Sequence, residues 1–169
     1  MPPSSRLGRQ LAEAAGALNA IGARFALIGG LALAPYKVIR ATQDIDFLVE
    51  MERAGDIDAV LTKLGYHRLH RGTDAANYAR DDERLDLLYA GRPISKQLLD
   101  GARELDTGLG KLRVVSAEGI IGFKLQALIN DPRRTQDLED IRALVRANRG
   151  ELDMNEVREY FRLFERESL

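Results

Sequence analysis

The sequence contains no cysteine, and this absence excludes several kinds of site at once. Disulfide bridges, thiolate zinc sites and cysteine nucleophiles all need a residue that the chain lacks. No apolar run approaches the ~20 residues that a membrane-spanning helix requires. The N-terminal stretch MPPSSRLGRQ also lacks the apolar segment of a signal peptide. We therefore expect a cytoplasmic protein with no membrane partner.

Neither sign of charge is in excess, because 25 Lys and Arg residues stand against 26 Asp and Glu residues. The formal net charge of -1 gives no overall attraction to nucleic acid or to an acidic membrane surface. Any binding of a polyanion would have to depend on a local patch. The 169 residues, 45% of them apolar, suffice for one globular domain with its own core, or for one domain with a small helical annex.

The order of the predicted elements indicates an α+β fold, with a mixed sheet flanked by helices and a C-terminal helical subdomain. Helical spacing of apolar residues predicts a first helix over Arg6–Ile21, and a short apolar run predicts a buried strand over Phe25–Ile28. The further predicted strands are Asp44–Val49, Tyr66–His70, Asn77–Arg80, Arg84–Tyr89 and Leu112–Val115, and the further predicted helices are Leu31–Val38, Ile57–Leu64, Ile94–Leu99, Ser116–Ile129, Arg134–Ala147 and Met154–Arg166. The chain divides accordingly into an α/β core, residues 1–115, and a helical subdomain, residues 116–169.

The predicted strand Asp44–Val49 begins with two aspartates. Side chains alternate along a strand, so Asp44 and Asp46 share one face. Two neighbouring carboxylates repel each other unless a cation lies between them, and a divalent metal ion is the simplest such cation. Asp86, on a later predicted strand, could be a third ligand for Mg²⁺ or Mn²⁺, which prefer oxygen donors. The alternative is that all three carboxylates are solvated.

A pair of glycines, Gly29-Gly30, lies between the buried strand and the next predicted helix. Glycines at a helix N-terminus let backbone N–H groups approach an oxyanion, and the helix dipole favours negative charge there. Phosphates on such a turn, with metal ions beside them, would equip the chain for in-line displacement at phosphorus. Arg40 and Thr42, just before the aspartates, could position the loop, contact a phosphate, or do neither.

The order Gly29-Gly30, Asp44-Ile45-Asp46 and Asp86 resembles the DNA polymerase β-type nucleotidyltransferase superfamily. The segments RATQDIDFLVE and FKLQALINDPRRTQDLEDI are similar to the AbiEii/AbiGii toxin group of nucleotidyltransferases. The resemblance implies a nucleotidyltransferase-like fold and a metal-dependent reaction on an NTP. Many members carry Ser or Thr at the second glycine or just after it, whereas this chain has Gly30 and Leu31.

The resemblance also implies roles for particular residues. Gly29 and Gly30 would hold the nucleotide phosphates, and Thr42 is a candidate contact beside them. Asp44, Asp46 and Asp86 would be metal ligands, with Asp86 also activating the acceptor hydroxyl. Lys124 would contact the triphosphate, and Asp137 would orient Lys124 or contact the acceptor.

The helical subdomain carries charges where an apolar surface is expected. At 100° per residue, Lys124 falls in the middle of an apolar helix face. On the next helix Arg134 and Asp137 lie within the inner stripe, and Asp140 lies on its edge. An unpaired buried charge is costly, so Lys124 should meet an anionic partner. The charges predict a polar cleft between the helices and the sheet, although an interhelical ion pair of purely structural use remains open.

Together these features predict a metal-dependent nucleotidyltransferase that moves an NMP from an NTP to a hydroxyl acceptor. The resemblance implies RNA, such as a tRNA end, or a protein as acceptor, and a toxin with a cognate antitoxin. Two alternatives are a nucleotide-binding regulatory module without turnover and a small-molecule nucleotidyltransferase of the aminoglycoside type.

Overall fold

The computed structural model describes residues 5–167, and the outermost residues of the two predicted units, 1–4 and 168–169, lie outside this range. The elements of the described chain, in order, are α1 (Arg6–Ala20), β1 (Phe25–Ile28), a 3-10 helix (Gly30–Tyr36), β2 (Asp44–Glu50), a 3-10 turn (Met51–Arg53), α2 (Ala54–Lys63), β3 (His67–Arg71), β4 (Ala75–Arg80), β5 (Glu83–Ala90), α3 (Pro93–Asp100), β6 (Arg103–Asp106), β7 (Lys111–Val114), α4 (Ala117–Asn130), α5 (Thr135–Ala147) and α6 (Met154–Glu167). None of these helices is long and apolar enough to cross a bilayer.

The strands form one mixed sheet in the order β3-β4-β5-β2-β1-β7-β6. β2 and β5 run parallel, as do β1 and β7, and the remaining neighbours are antiparallel. Buried residues of the sheet and of all six α-helices form one hydrophobic core, to which α5 contributes Leu144. The predicted α+β class, a mixed sheet flanked by helices, is confirmed.

Local sequence explains several boundaries. Ser116 was predicted to begin a helix, and its Oγ accepts a hydrogen bond from the Gly119 N–H at 3.1 Å, as an N-cap does. The β4–β5 hairpin turns at Asp81, whose φ of 53° is one that a short polar side chain tolerates better than most. This explains how the hairpin forms without the Asn-Gly pair that such turns favour.

Two predictions about the elements were wrong or incomplete. The segment after Gly29 is a 3-10 helix of 7 residues that contains Pro35, and not the α-helix expected over Leu31–Val38. The strand Arg103–Asp106 was not predicted, because it lies at the sheet edge and only Leu105 of its four residues is shielded from solvent. Edge strands with mostly polar residues lack the apolar alternation by which strands are recognised.

The C-terminal helices are tied to the core by polar contacts across the predicted boundary at residue 116. Asn148 Nδ2 donates to the Tyr36 carbonyl at 2.9 Å, and Tyr36 itself is fixed within the core, where its Oη donates to the Val115 carbonyl at 2.8 Å. Lys37 pairs with Glu151 at 3.1 Å. The contacts of Asn148 and Glu151 hold the connection between α5 and α6 beside the 3-10 helix. The division into two units stays a prediction.

Candidate active site

Three carboxylates project from the two parallel strands at the centre of the sheet. Asp46 lies opposite Asp86 in the β2–β5 register, and Asp44 lies two residues before Asp46 on the same strand face. Asp44 is exposed, whereas Asp46 and Asp86 are half-buried. The structure therefore brings the three predicted ligands to one place, and their role as ligands stays a prediction.

Asp46 is the carboxylate that the other two perturb. Burial, followed by the charges of Asp86 and Asp44, raises the pKa of Asp46 to about 7, while Lys124 opposes the rise. The ionised form of a carboxylate in this position is destabilised, and binding a proton or a cation removes that penalty. The charge state of Asp46 therefore depends on what binds beside it.

Asp86 is held by a residue to which the sequence assigned no role. Asn77 Nδ2 donates a hydrogen bond of 2.8 Å to Asp86 Oδ1. The two residues are directly paired across the β4–β5 hairpin. The predicted strands Asn77–Arg80 and Arg84–Tyr89 leave Asp81–Glu83 between them, and this spacing would have placed Tyr78 beside Asp86. The structure pairs Arg80 with Glu83, and this shift brings Asn77 beside Asp86. The bond fixes one oxygen of Asp86 and leaves Oδ2 for other partners.

The glycine pair creates space for the carboxylates and for the loop that precedes them. Gly29 has a φ of 74°, and a Cβ at this position would lie 2.7 Å from Asp46 Cγ. A Cβ on Gly30 would lie 3.2 Å from both Arg40 Nη2 and Thr42 Cβ. The following helix is a 3-10 helix of 7 residues with no side-chain cap, so the helix-dipole argument made from sequence stays a prediction. The glycines bring bare backbone next to these side chains.

Lys124 meets two carboxylates and not one. Its Nζ donates to Asp137 Oδ1 at 3.2 Å and to Asp140 Oδ2 at 2.8 Å. Lys124 is 7% exposed and Asp140 is 2% exposed, so both charges are buried and compensated. The predicted partner Asp137 is present, and Asp140 joins it. An ammonium has three N–H donors, so one remains for another ligand.

Two arginines complete the cluster of charges. Arg40 binds both oxygens of Asp140, from Nε at 2.8 Å and from Nη2 at 3.0 Å. Arg134 Nε donates to Asp137 Oδ2 at 2.6 Å. Burial alone would raise the pKa of Asp140, but the hydrogen bonds from Arg40 and Lys124 outweigh it and lower that pKa. No pattern in the sequence indicates the Arg40–Asp140 pair, which joins residues 100 positions apart.

These groups, apart from Asn77 and Asp140, line one cleft of about 330 Å³ between the sheet and the helices α4 and α5. The cleft is of a size that small-molecule ligands occupy. Every residue that the sequence proposed for the site lines it: Gly29, Gly30, Thr42, Asp44, Asp46, Asp86, Lys124 and Asp137. Its walls differ in sign, with carboxylates on the sheet side and the cluster containing Arg40, Lys124 and Arg134 opposite.

The donor set fits Mg²⁺ or Mn²⁺ in kind. Carboxylate oxygens are the ligands that these hard cations prefer. The raised pKa of Asp46 results from burial and then from repulsion by Asp86 and Asp44, and a cation would relieve that repulsion. Within residues 5–167, no group of three or more His, Asp or Glu side chains already converges on a point that could hold a metal ion. Asp44, Asp46 and Asp86 would therefore have to adjust around an ion.

No family model matches the chain, and no curated protein does. Solved structures do match it. The antibiotic-resistance factor ANT(2'')-Ia in complex with adenylyl-2''-tobramycin has a TM-score of 0.74 at 19% identity, covering 98% of this chain and 100% of that one. An antigenic nucleotidyltransferase-like protein from Paracoccidioides brasiliensis has a TM-score of 0.61 at 17% identity, covering 98% and 90%.

The lincosamide antibiotic adenylyltransferase LnuA, with lincomycin bound, has a TM-score of 0.57 at 15% identity, covering 84% of this chain and 97% of that one. Identities this low show the fold alone. The expected grouping with the AbiEii/AbiGii toxins stays a prediction. The structural neighbours share the nucleotidyltransferase fold, and the chain has a nucleotidyltransferase-like fold.

Proposed function

We propose that the chain transfers a nucleoside monophosphate from an NTP to a hydroxyl group. One observation carries the proposal: Asp46 and Asp86 occupy the same register position on adjacent parallel strands and face a cleft that the glycine turn also lines. This arrangement offers carboxylates for metal ions beside bare backbone and cations for phosphates. Two of the fold neighbours, which handle adenylyl groups according to their names, add support.

The chain's own residues would divide the work as follows. Gly29 and Gly30 bring backbone next to the carboxylates, so that the polyphosphate can approach closely. Lys124, buried and fixed by two aspartates, would donate its remaining N–H to a phosphate oxygen. Such preorganised donors lower the barrier without rearranging during the reaction.

Mg²⁺ or Mn²⁺ held by Asp44, Asp46 and Asp86 would neutralise the charge of the reacting phosphates. The acceptor oxygen would form a bond to the α-phosphorus as the bond to the pyrophosphate oxygen breaks. Asp86, whose Oδ1 is fixed by Asn77, would take the hydroxyl proton on its other oxygen. The products are the nucleotidylated acceptor and pyrophosphate.

A hydroxylated small molecule is the acceptor with the better support. The chain matches ANT(2'')-Ia, which was solved with adenylyl-2''-tobramycin, over nearly the full length of both proteins. The net charge of -1 provides no broad attraction for a nucleic acid. An aminoglycoside or another polyhydroxylated compound is therefore the first acceptor to test.

RNA, such as a tRNA end, or a protein is the second candidate, in a toxin that a cognate antitoxin neutralises. The observation in its favour is the joining of Lys124 and Asp137 at 3.2 Å, since both lie in the segment that resembles the AbiEii/AbiGii toxins. A nucleotide-binding module without turnover is distinguished from both by calorimetry, because it would bind NTP with Mg²⁺ and form no product.

Label transfer from each α-³²P-NTP with Mg²⁺ tests the reaction. Tobramycin, lincomycin, tRNA and a protein extract are offered in separate reactions, with and without EDTA. We expect label on one acceptor class, dependence on the divalent ion, and loss of transfer in Asp44→Ala and Asp46→Ala. Wild-type transfer by these two variants would show that the aspartates are not the reaction centre.

A further inference from the structure

Asp140 is a buried carboxylate that binds two of the three cations lining the cleft, Arg40 and Lys124. It accepts four hydrogen bonds, two from Arg40 at 2.8 and 3.0 Å, one from Lys124 at 2.8 Å and one from Gln136 at 3.0 Å. Arg40 belongs to the loop before β2, Lys124 to α4 and Asp140 to α5. One side chain thus fixes two cations from separate parts of the chain at the wall of the cleft.

Arg40 keeps donors available after binding Asp140. A guanidinium has five N–H groups, and Asp140 takes two of them. A third makes only a long contact of 3.5 Å to the Ala41 carbonyl. The side chain is 28% exposed and lines the cleft, with Nη2 3.2 Å from the point where a Cβ on Gly30 would lie. The remaining N–H donors of the guanidinium therefore lie beside the glycine turn, where they can bind an anion.

The two glycines define a direction along the cleft. Gly29 lies against Asp46, where the α-phosphate has to react, and Gly30 lies against Arg40. A polyphosphate that begins at the carboxylates and follows the turn reaches Arg40 with its distal phosphates. Guanidinium forks bind phosphate oxygens in a bidentate manner, so the chemistry at this end suits a doubly charged terminal phosphate.

We propose that Arg40 binds the terminal phosphate of the NTP and that Asp140 is the positioning residue that orients Arg40 and Lys124 for this contact. The proposal rests on the proposed function, because it assigns the distal end of the same substrate. It gives the chain a preference for triphosphates over monophosphates. Arg40 is a binding residue here, and Asp140 acts only through the cations that it holds.

A purely charge-neutralising role for Asp140 predicts the opposite effect of Asp140→Asn on anion binding. If Asp140 only neutralised the charges of Arg40 and Lys124, Asp140→Asn would make the cleft more positive and would strengthen the binding of an anion. If Asp140 positions Arg40, the same change releases the guanidinium and weakens anion binding despite the added positive charge. The sign of the effect therefore separates the two explanations.

The test is calorimetric titration of tripolyphosphate into the full chain at constant Mg²⁺ concentration. Arg40→Gln should raise the Kd at least about tenfold, the effect of losing one charge-assisted pair. Arg40→Lys keeps the charge but cannot span Asp140 and a phosphate together, and should weaken binding nearly as much. The matched control is Lys37→Gln, which removes a positive charge whose ion pair with Glu151 is exposed, and should stay within about twofold.

Asp140→Asn should also weaken binding, and should have little further effect when Arg40→Gln is already present. In a label-transfer assay, Arg40→Lys should raise the KM for NTP and leave the KM for the acceptor unchanged. Tighter binding by Asp140→Asn, wild-type binding by Arg40→Lys, or no binding by the wild-type chain would each overturn the proposal. If the variants bind as expected but no acceptor is labelled, the proposed reaction fails and the phosphate site stands; the reverse pattern removes the site alone.

Discussion

The raised pKa of Asp46 makes the stability of the fold depend on pH in a way that one substitution should remove. The pKa of Asp46 is about 7 in the folded chain against an ordinary 3.8. At low pH both states carry the proton and Asp46 causes no penalty. As the pH rises, the unfolded chain ionises first, so stability is lost progressively until the pH passes the folded pKa.

The size of the loss follows from the shift. A difference of roughly 3 units corresponds to a ceiling of about 4 kcal/mol at high pH, of which about 2.5 kcal/mol develops between about pH 5 and about pH 8. Asp46 is partly open to solvent, so we expect about 1–2 kcal/mol in that interval. Asp46→Asn has the same shape and no charge. Its stability should therefore exceed that of the wild type by a margin that grows over the same interval.

Urea denaturation in EDTA across this pH range measures the margin, provided that the m-values agree. Asp44→Asn is the matched control, because Asp44 lies on the same strand face but is exposed, and its margin should be less than half as large. Parallel stability curves for wild type and Asp46→Asn would refute the reasoning. Adding Mg²⁺ near pH 8 should stabilise the wild type and not Asp46→Asn, since the ion binds only the folded carboxylates.

Three further substitutions follow from the geometry. Lys124→Met leaves two buried carboxylates without the cation that they share, and should lower the free energy of unfolding by about 3–5 kcal/mol. Gly29→Ala combines a φ of 74° with a collision at Asp46 and should cost at least about 2 kcal/mol, whereas Gly55→Ala, in open space on α2, should be neutral or stabilising. Tyr89→Phe should raise the free energy of unfolding, and so stabilise the fold, by up to about 1 kcal/mol. The reason is that Tyr89 Oη is buried without a hydrogen-bond partner among the described residues.

Urea denaturation at neutral pH checks all three. Retention of wild-type stability by Lys124→Met would mean that the aspartate pair does not need its cation. Equal effects at Gly29 and Gly55 would remove the argument that backbone geometry and Asp46 require a glycine at position 29. A loss above about 1 kcal/mol in Tyr89→Phe would mean that the hydroxyl makes a favourable contact.

The sequence predicted the carboxylate strands well because alternation is a local property. Asp44 and Asp46 had to share a face once β2 was recognised. The proximity of Asp46 to Asp86 could not be predicted in this way. The strands β2 and β5 are not consecutive in the chain, and their register depends on the whole sheet. The sequence offered Asp86 as a third ligand and the resemblance implied the same role, but the strand pattern did not determine that β5 pairs with β2.

The charged side of the cleft was predicted only in part. Lys124 stood out because it interrupts an apolar helix face, and a buried lysine needs an acid. Asp140 lay at the edge of a stripe and gave no comparable signal, and its partner Arg40 comes from a loop without periodicity. Contacts between a loop and a distant helix depend on tertiary packing, which a single sequence does not encode in any local pattern. The 3-10 geometry of Gly30–Tyr36 was not predicted, because the spacing of its apolar residues does not distinguish a short 3-10 helix from an α-helix.

The most direct test of the account is a crystal of the chain soaked with Mn²⁺ and an NTP analogue that cannot be cleaved at the α-phosphate. The account predicts anomalous density in contact with Asp46 and Asp86, the polyphosphate along Gly29-Gly30, and its terminal phosphate at Arg40. A nucleotide bound elsewhere, or Mn²⁺ bound away from these aspartates, would contradict the assignment of this cleft as the nucleotide site.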